Sequence, residues 1–208
     1  MKWIKFLNNC KIPYYVYKLN KNDSIIICDQ YCSKHQIIII LHGSIYIMKI
    51  FANKNLIPIV ILNKNSIFST SNINSQFYYQ LIALEKTYVL TIKLKTKHKL
   101  SNQLMLNILE GYQKTLNSHQ IMTEAINQKY KKDRVLYIIL ILFFQFGTIN
   151  NKQVRLPFKI SQKNLAQITG TSKETINKIT REVNQKFNIS YCKKKSIQID
   201  NIFNLTEK

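Results

Sequence analysis

Glycine occurs only four times in these 208 residues and proline only three times. So little glycine leaves no room for a phosphate-cradling Gly-rich loop, whose close backbone approach depends on that residue. The four cysteines are Cys10, Cys28, Cys32 and Cys192; none pair as Cys-x-x-Cys, and no histidine stands at ligand spacing from another. Cys28-x-x-x-Cys32 is at most half a metal site, and the thiols read as buried or inert groups of a reducing compartment. No metal and no catalytic residue is assigned. With no paired-carboxylate site and no Ser/His/Asp pattern, an enzyme is the reading the residues support least. Long apolar runs are also missing. Val135 to Phe146 is nearly all apolar, but it is 12 residues long and contains Tyr137 and Gln145. That suits a buried helix and falls short of the roughly 20 residues needed to span a bilayer. Met1 to Cys10 lacks the apolar stretch of a secretory signal.

Negative charge is scarce as well. Ten acidic residues face 31 basic ones, a formal charge of +21, and such a field favours polyanions. Only Arg134, Arg155 and Arg181 are arginines, leaving 28 lysines amid abundant Ile and Asn. That trio is what an AT-rich genome encodes, so part of the charge reflects codon usage spread over a solvated surface. The local balance is more telling: between Arg155 and Lys195 ten basic residues face two glutamates, a net +8 in 41 residues.

Inside that basic stretch, residues 160–183 organise the chain. Ser161 is placed to cap a short helix whose apolar side is Leu165, Ala166 and Ile168. Gly170 breaks it, where positive φ is wanted. Thr171 or Ser172 caps a second helix, with Ile176, Ile179 and Val183 on one face. Lys173, Glu174, Asn177 and Lys178 fall mostly on other faces. Two helices around a tight Gly turn form a helix-turn-helix, whose second helix enters the major groove. A helical hairpin in an ordinary core has the same apolar pattern. Here, however, the second helix opens with side chains suited to phosphates and base edges. Behind it, Ile189 to Tyr191, Lys193 to Lys195 and Ser196 to Ile199 read as strand, basic turn and strand: a wing.

Ser161-Gln-Lys-Asn-Leu-Ala and Gly170-Thr-Ser-Lys-Glu-Thr-Ile-Asn-Lys resemble the DNA-reading motif of the CRP/FNR family of bacterial transcription regulators. In that family a Ser-Arg-Glu-Thr-Val-x-Arg run opens the recognition helix; here it stands as Ser172 to Lys178. Within the family, the C-terminal half is most similar to the NtcA-type nitrogen-control regulators of cyanobacteria and algal plastids. The resemblance implies an α+β fold: an N-terminal antiparallel β-roll of the cyclic-nucleotide-binding type over residues 1–99, a long dimerisation helix over 100–131, and a C-terminal winged helix-turn-helix over 132–208. It also implies a homodimer on a palindromic promoter site in double-stranded DNA, RNA polymerase as a further partner, no membrane association, and a plastid stroma, or alternatively a bacterial cytoplasm.

The residues ahead of the motif agree with that plan. Residues 1–99 read as short strands: Tyr14 to Tyr17, Ser24 to Cys28, Gln36 to Leu41, Ser44 to Ile50, Leu56 to Leu62, Phe77 to Leu84 and Tyr88 to Leu94. His42-Gly43 reads as the turn of a hairpin. From 99 to 131 the periodicity is helical. Leu109, Tyr112, Leu116, His119, Thr123 and Ile126 recur three and four apart, a heptad-like seam that the resemblance makes a dimer interface. A helix packed on its own roll would show a similar stripe.

The effector pocket departs from the family. Cyclic-nucleotide members grip ribose and phosphate with Gly-Glu and Arg-Ser pairs; Ser66 to Phe77 here contains no Glu, Arg or Gly. A buried phosphate without a basic partner is costly, which argues against cyclic nucleotides. The nitrogen-control relatives imply 2-oxoglutarate instead, held after a Phe-Gly pair. Phe68 matches the Phe, Ser69 stands at the Gly, Gln76 stands for a carboxylate-gripping Arg, and Lys114 is a partial substitute from the next helix. Phe68, Ser69, Thr70, Ser71, Gln76 and Lys114 thus form a degenerate effector site. No other cofactor is expected.

For DNA, Lys173, Glu174 and Lys178 are the expected base readers, since lysine donates to guanine O6 or N7 and Glu174 accepts from cytosine N4. Thr175 and Asn177 lie in the same helix. Ser161, Gln162, Lys163, Thr171, Ser172, Lys193, Lys194 and Lys195 are the expected phosphate contacts. Two rival readings stand beside a sequence-specific regulator: an effector-gated sensor of 2-oxoglutarate, and a nonspecific basic nucleic-acid-binding protein.

Overall fold

Runs of isoleucine shape the first half of the chain. In a computed structural model, describing residues 2–28, 36–69, 76–93, 100–187, 189–191 and 197–199, β-branched runs form eight strands. They are β1 (Tyr14–Leu19), β2 (Ser24–Ile27), β3 (Gln36–His42), β4 (Ile45–Phe51), β5 (Leu56–Leu62), β6 (Ile67–Ser69), β7 (Phe77–Ala83) and β8 (Thr87–Lys93). Two antiparallel sheets result, ordered β1-β8-β3-β6 and β2-β7-β4-β5. Alternate residues of β3 go to opposite faces. Ile38 and Ile40 meet Ile45, Ile47, Val60 and Leu81 of the other sheet. Ile37 and Ile39 join a second core with Trp3 and Leu7 of α1 (Lys2–Asn9) and Leu104 and Ile108 of α2 (Asn102–Ile126). Both faces of β3 are covered, which is why its run is apolar throughout.

The His42-Gly43 hairpin expected from the sequence does not form. β3 pairs with β8 and β6, and β4 pairs with β7 and β5. The dipeptide is instead a corner where the chain changes sheets. Gly43 has φ +83°, and a Cβ there would lie 2.5 Å from Thr87 Oγ1. Thr87 Oγ1 closes the corner by accepting from Ser44 N at 3.2 Å and donating to the Ser44 carbonyl at 3.1 Å. Helix α1 was not foreseen in a stretch read as strands. Its Trp3 and Leu7, one turn apart, are both buried, and Trp3 Nε1 donates to Asn65 Oδ1 at 3.2 Å. The short strand β6 was not foreseen either.

Helix α2 meets the roll through Leu104, Ile108, Gly111 and Thr115, spaced four, three and four. Gly111 allows close approach: a Cβ would sit 2.5 Å from the Ile67 side chain. Thr115 Oγ1 accepts from Ile67 N at 3.0 Å and donates to its carbonyl at 2.7 Å.

The chain divides into two compact units, Met1–Ile121 and Met122–Lys208. The second holds α3 (Lys131–Phe146), a hairpin of β9 (Thr148–Asn150) and β10 (Gln153–Arg155), then α4 (Gln162–Thr169), α5 (Lys173–Phe187), β11 (Ile189–Tyr191) and β12 (Ile197–Ile199). Its sheet runs β11-β12-β10-β9. Val135, Ile138, Ile139 and Leu142 of α3 are buried, as are Leu165, Ile168, Ile176, Ile179 and Val183 of the next two helices. Helix α3 begins four residues before the apolar run, so Lys131 to Arg134 form its first turn. The run Val135 to Phe146, read as suiting a buried helix, is mostly buried, but Phe144 is 90% exposed. Arg155 ends β10, which pairs with both β9 and β12.

Candidate nucleic-acid interface

The helix pair α4–α5 is built from local signals. Ser161 caps α4: its Oγ accepts from Asn164 N at 3.0 Å and donates to Asn164 Oδ1 at 2.9 Å. Gly170 ends the helix in the left-handed conformation, φ 61° and ψ 38°. Thr171 N then donates back to the Ala166 carbonyl at 2.9 Å, a Schellman-type closure. Ser172, rather than Thr171, caps α5, accepting from Thr175 N at 3.2 Å. Thr171 serves the turn instead: its hydroxyl lies 2.8 Å from that of the buried Thr169.

Packing then decides which side chains are presented. With Ile176, Ile179 and Val183 inward, Ser172, Lys173, Glu174, Asn177 and Lys178 are exposed and Thr175 is half-buried. Lys163 is exposed, and Ser161, Gln162 and Thr171 are half-buried near it in sequence. Gln162 Nε2 donates to Asn177 Oδ1 at 3.3 Å, joining the start of α4 to the exposed face of α5. Asn177 and Lys178 lie three and four residues beyond Glu174, and Arg181 lies four and three beyond them, so the four share a stripe.

Arg181 is the residue the sequence reading missed. It is exposed and lies one turn beyond Lys178; its spacing from Glu174 and Lys178 is the signal that could have found it. The side chains of Lys178 and Arg181 make no hydrogen bond or ion pair among the described residues. Glu182, on an adjacent face, pairs with Lys132 Nζ at 3.3 Å. Glu174 is held below the usual carboxylate range by its own backbone N–H, then by the Ser172 hydroxyl and Lys173. It therefore stays anionic and able to accept a hydrogen bond. The strands β11 and β12 pair antiparallel behind α5, as a wing requires. The basic turn Lys193, Lys194 and Lys195 lies outside the described residues.

The expected effector residues are differently engaged. The Phe68 ring stands edge-on to Tyr79 at 5.2 Å between centroids, beside the core between the sheets. Ser69 ends β6 and is half-buried, and Gln76 is exposed. Lys114 Nζ donates to the Lys64 carbonyl at 2.7 Å, and partial burial together with Lys64 lowers its pKa. Lys114 and Phe68 thus have separate partners. Thr70 and Ser71 lie outside the described residues, as do Cys32 and Cys192. Among the described residues no group of three or more metal-ligating side chains occurs, and no helix is long and apolar enough to cross a membrane.

Along α2, Leu109 is 56% and Leu116 67% exposed, with His119 and Thr123 exposed and Ile126 half-buried. Tyr112 is half-buried against the core under α1. The seam therefore lies beside the stripe that packs on the roll.

This architecture has solved counterparts. A CRP-family transcriptional regulator from Thermus thermophilus, TTHB099, superposes with a TM-score of 0.71 at 10% identity, over 90% of this chain and 94% of that one. The chain has the fold of the CRP/FNR regulators. In sequence it is 28% identical over 213 residues to ycf28 of Porphyra purpurea, named as an HTH-type transcriptional regulator; the match spans 96% of this chain and 84% of that protein. It is 21% identical over 163 residues to the global nitrogen regulator of Synechocystis, across 75% of this chain and 72% of that one. No family model matches the chain. The resemblance read from Ser161 to Lys178 thus extends over nearly the whole chain with ycf28, and the β-roll expectation holds.

Proposed function

We propose that this chain is a sequence-specific DNA-binding transcription regulator that acts as a homodimer in nitrogen control. One observation carries the reading: α5 buries Ile176, Ile179 and Val183 and presents Lys173, Glu174, Asn177, Lys178 and Arg181 to solvent. Lysine donors beside a carboxylate acceptor suit base edges in a major groove. Ser161, Gln162, Lys163, Thr171 and Ser172 cluster at the helix starts, where free amides and hydroxyls suit phosphates. The basic run Lys193 to Lys195 would add phosphate contacts. The exposed leucines of α2, at Leu109 and Leu116, support pairing of two chains. Two recognition helices would then meet half-sites about one turn, ~34 Å, apart on a palindrome. The similarity to ycf28 of Porphyra purpurea and to the global nitrogen regulator of Synechocystis supports a plastid stroma and the nitrogen-control role.

The roll supports a constitutive regulator over an effector-gated one. Lys114 is spent on the Lys64 carbonyl and Phe68 on Tyr79, and neither Arg nor Glu occurs between Ser66 and Phe77. A gel-shift titration at physiological salt tests both parts. The chain meets a nitrogen-control palindrome and a scrambled duplex, each with and without 2-oxoglutarate. The expected result is preference for the palindrome with no ligand effect. Strengthening by 2-oxoglutarate would restore the sensor reading, and equal binding to both duplexes would leave charge as the whole of the affinity.

A further inference from the structure

We propose that Arg134 is a positioning residue for DNA reading, its guanidinium tying the backbone that leaves α2 to the carbonyl end of α4 and thereby seating α5. This rests on the DNA-reading role proposed above and adds how the reading helix is oriented.

Arg134 stands in the first turn of α3. Its Nη1 donates to the Thr169 carbonyl at 3.5 Å and its Nη2 to the Gln128 carbonyl at 3.4 Å. Thr169 is the last residue of α4, whose final carbonyls lack helical partners and carry the negative end of the helix dipole. Gly170 follows directly, and a Cβ built on it would come within 3.8 Å of Nη1. Gln128 lies two residues past the end of α2. One planar cation therefore spans two elements that are 35 and 6 residues away from it in sequence.

Two features argue that the fork itself matters. Nε is buried without a hydrogen-bond partner among the described residues, and an unmet buried donor costs stability. Arginine is also rare here, three against 28 lysines. A lysine could hold one carbonyl, but a flexible ammonium cannot fix two at the spacing a guanidinium sets. The Arg134 tie acts on the turn leading directly into Ser172 and α5. The neighbouring Lys132–Glu182 pair also joins α3 to α5, but its side chains are 35% and 40% exposed, so it is a weak tie.

The test uses the full chain. Wild type selects its preferred palindrome from a randomised duplex pool. Affinities for that palindrome and for a scrambled duplex are then measured by fluorescence anisotropy over a salt series. The same is done for R134K, R134A and, as comparator, K132A, with circular dichroism and thermal unfolding alongside. R134K keeps a charge at the end of α4, so it is expected to stay folded with an unchanged salt slope. Its palindrome-to-scrambled affinity ratio is expected to fall about tenfold, the size of one lost charge-assisted hydrogen bond. K132A is expected to keep the ratio. If folded R134K keeps the wild-type ratio, Arg134 serves stability alone and the proposal is overturned; should R134A fail to fold, R134K decides. If wild type selects no palindrome, the DNA-reading proposal falls first and takes this one with it, an outcome visible in the wild-type arm alone.

Discussion

Gln162 and Asn177 hold each other: Gln162 Nε2 donates to Asn177 Oδ1 at 3.3 Å. The bond joins an expected phosphate contact on α4 to the presented stripe of α5, so the two residues should not act independently on DNA. Q162A and N177A are each expected to weaken palindrome binding, with a coupling of about 0.5–1.5 kcal/mol in a double-mutant cycle. Strict additivity would show that the bond is irrelevant to recognition.

Base reading and phosphate contact leave different signatures. Lys178→Ala is expected to relax sequence preference at a cost of roughly 1–3 kcal/mol on the preferred site. Lys163→Ala is expected to weaken all duplexes alike and to lower the salt slope by about one. Arg181→Ala should behave like Lys178→Ala if the stripe reads bases along its length. Binding to preferred and scrambled duplexes at several salt concentrations separates these outcomes.

Glu174 links acidity to the reading helix. Its folded pKa is depressed, chiefly by its own backbone N–H and then by the Ser172 hydroxyl. A depressed carboxylate contributes stability above its unfolded pKa and loses that contribution as pH falls through the folded value. Wild type should therefore hold an advantage over E174Q at neutral pH that disappears below the usual carboxylate range. Urea unfolding of both proteins across that range checks the sign; an advantage that grew on acidification would contradict it.

Gly111→Ala is expected to loosen the contact of α2 with the roll. The added methyl would meet Ile67 at 2.5 Å and the Asn65 carbonyl at 3.0 Å, and overpacking of this kind costs about 1–3 kcal/mol. Ile67→Val in the same chain should recover part of the loss. Denaturant unfolding of G111A, I67V and the double variant gives the comparison, and a neutral G111A would show that the helix shifts freely on the strand.

Much of the reading head was legible because its signals are local. A cap, a left-handed glycine and apolar spacing act within a few residues, and Ser161, Gly170 and the Ile176, Ile179 and Val183 face all stand where those rules place them. Non-local partners were not legible. Gly43 looks the same as a hairpin turn or a corner between sheets; what decides is that β3 finds β8 and β6 while β4 finds β7 and β5. Helix α1 escaped notice because one Trp and one Leu at i and i+4 become an apolar face only once a strand lies beneath them.

The sequence by itself determined the class of the molecule: a strand-rich first half and a long helix, read from periodicity, and a basic helix-turn-helix, whose caps and glycine turn act within a few residues. Tertiary structure alone decided what each side chain is available to do. It committed Lys114 to the Lys64 carbonyl, bonded Gln162 to Asn177, left Arg181 on the presented stripe, and placed Arg134 between two carbonyls. Hydrogen-bond partners and burial are set by segments that meet only on folding, and side-chain spacing along the chain does not encode that meeting.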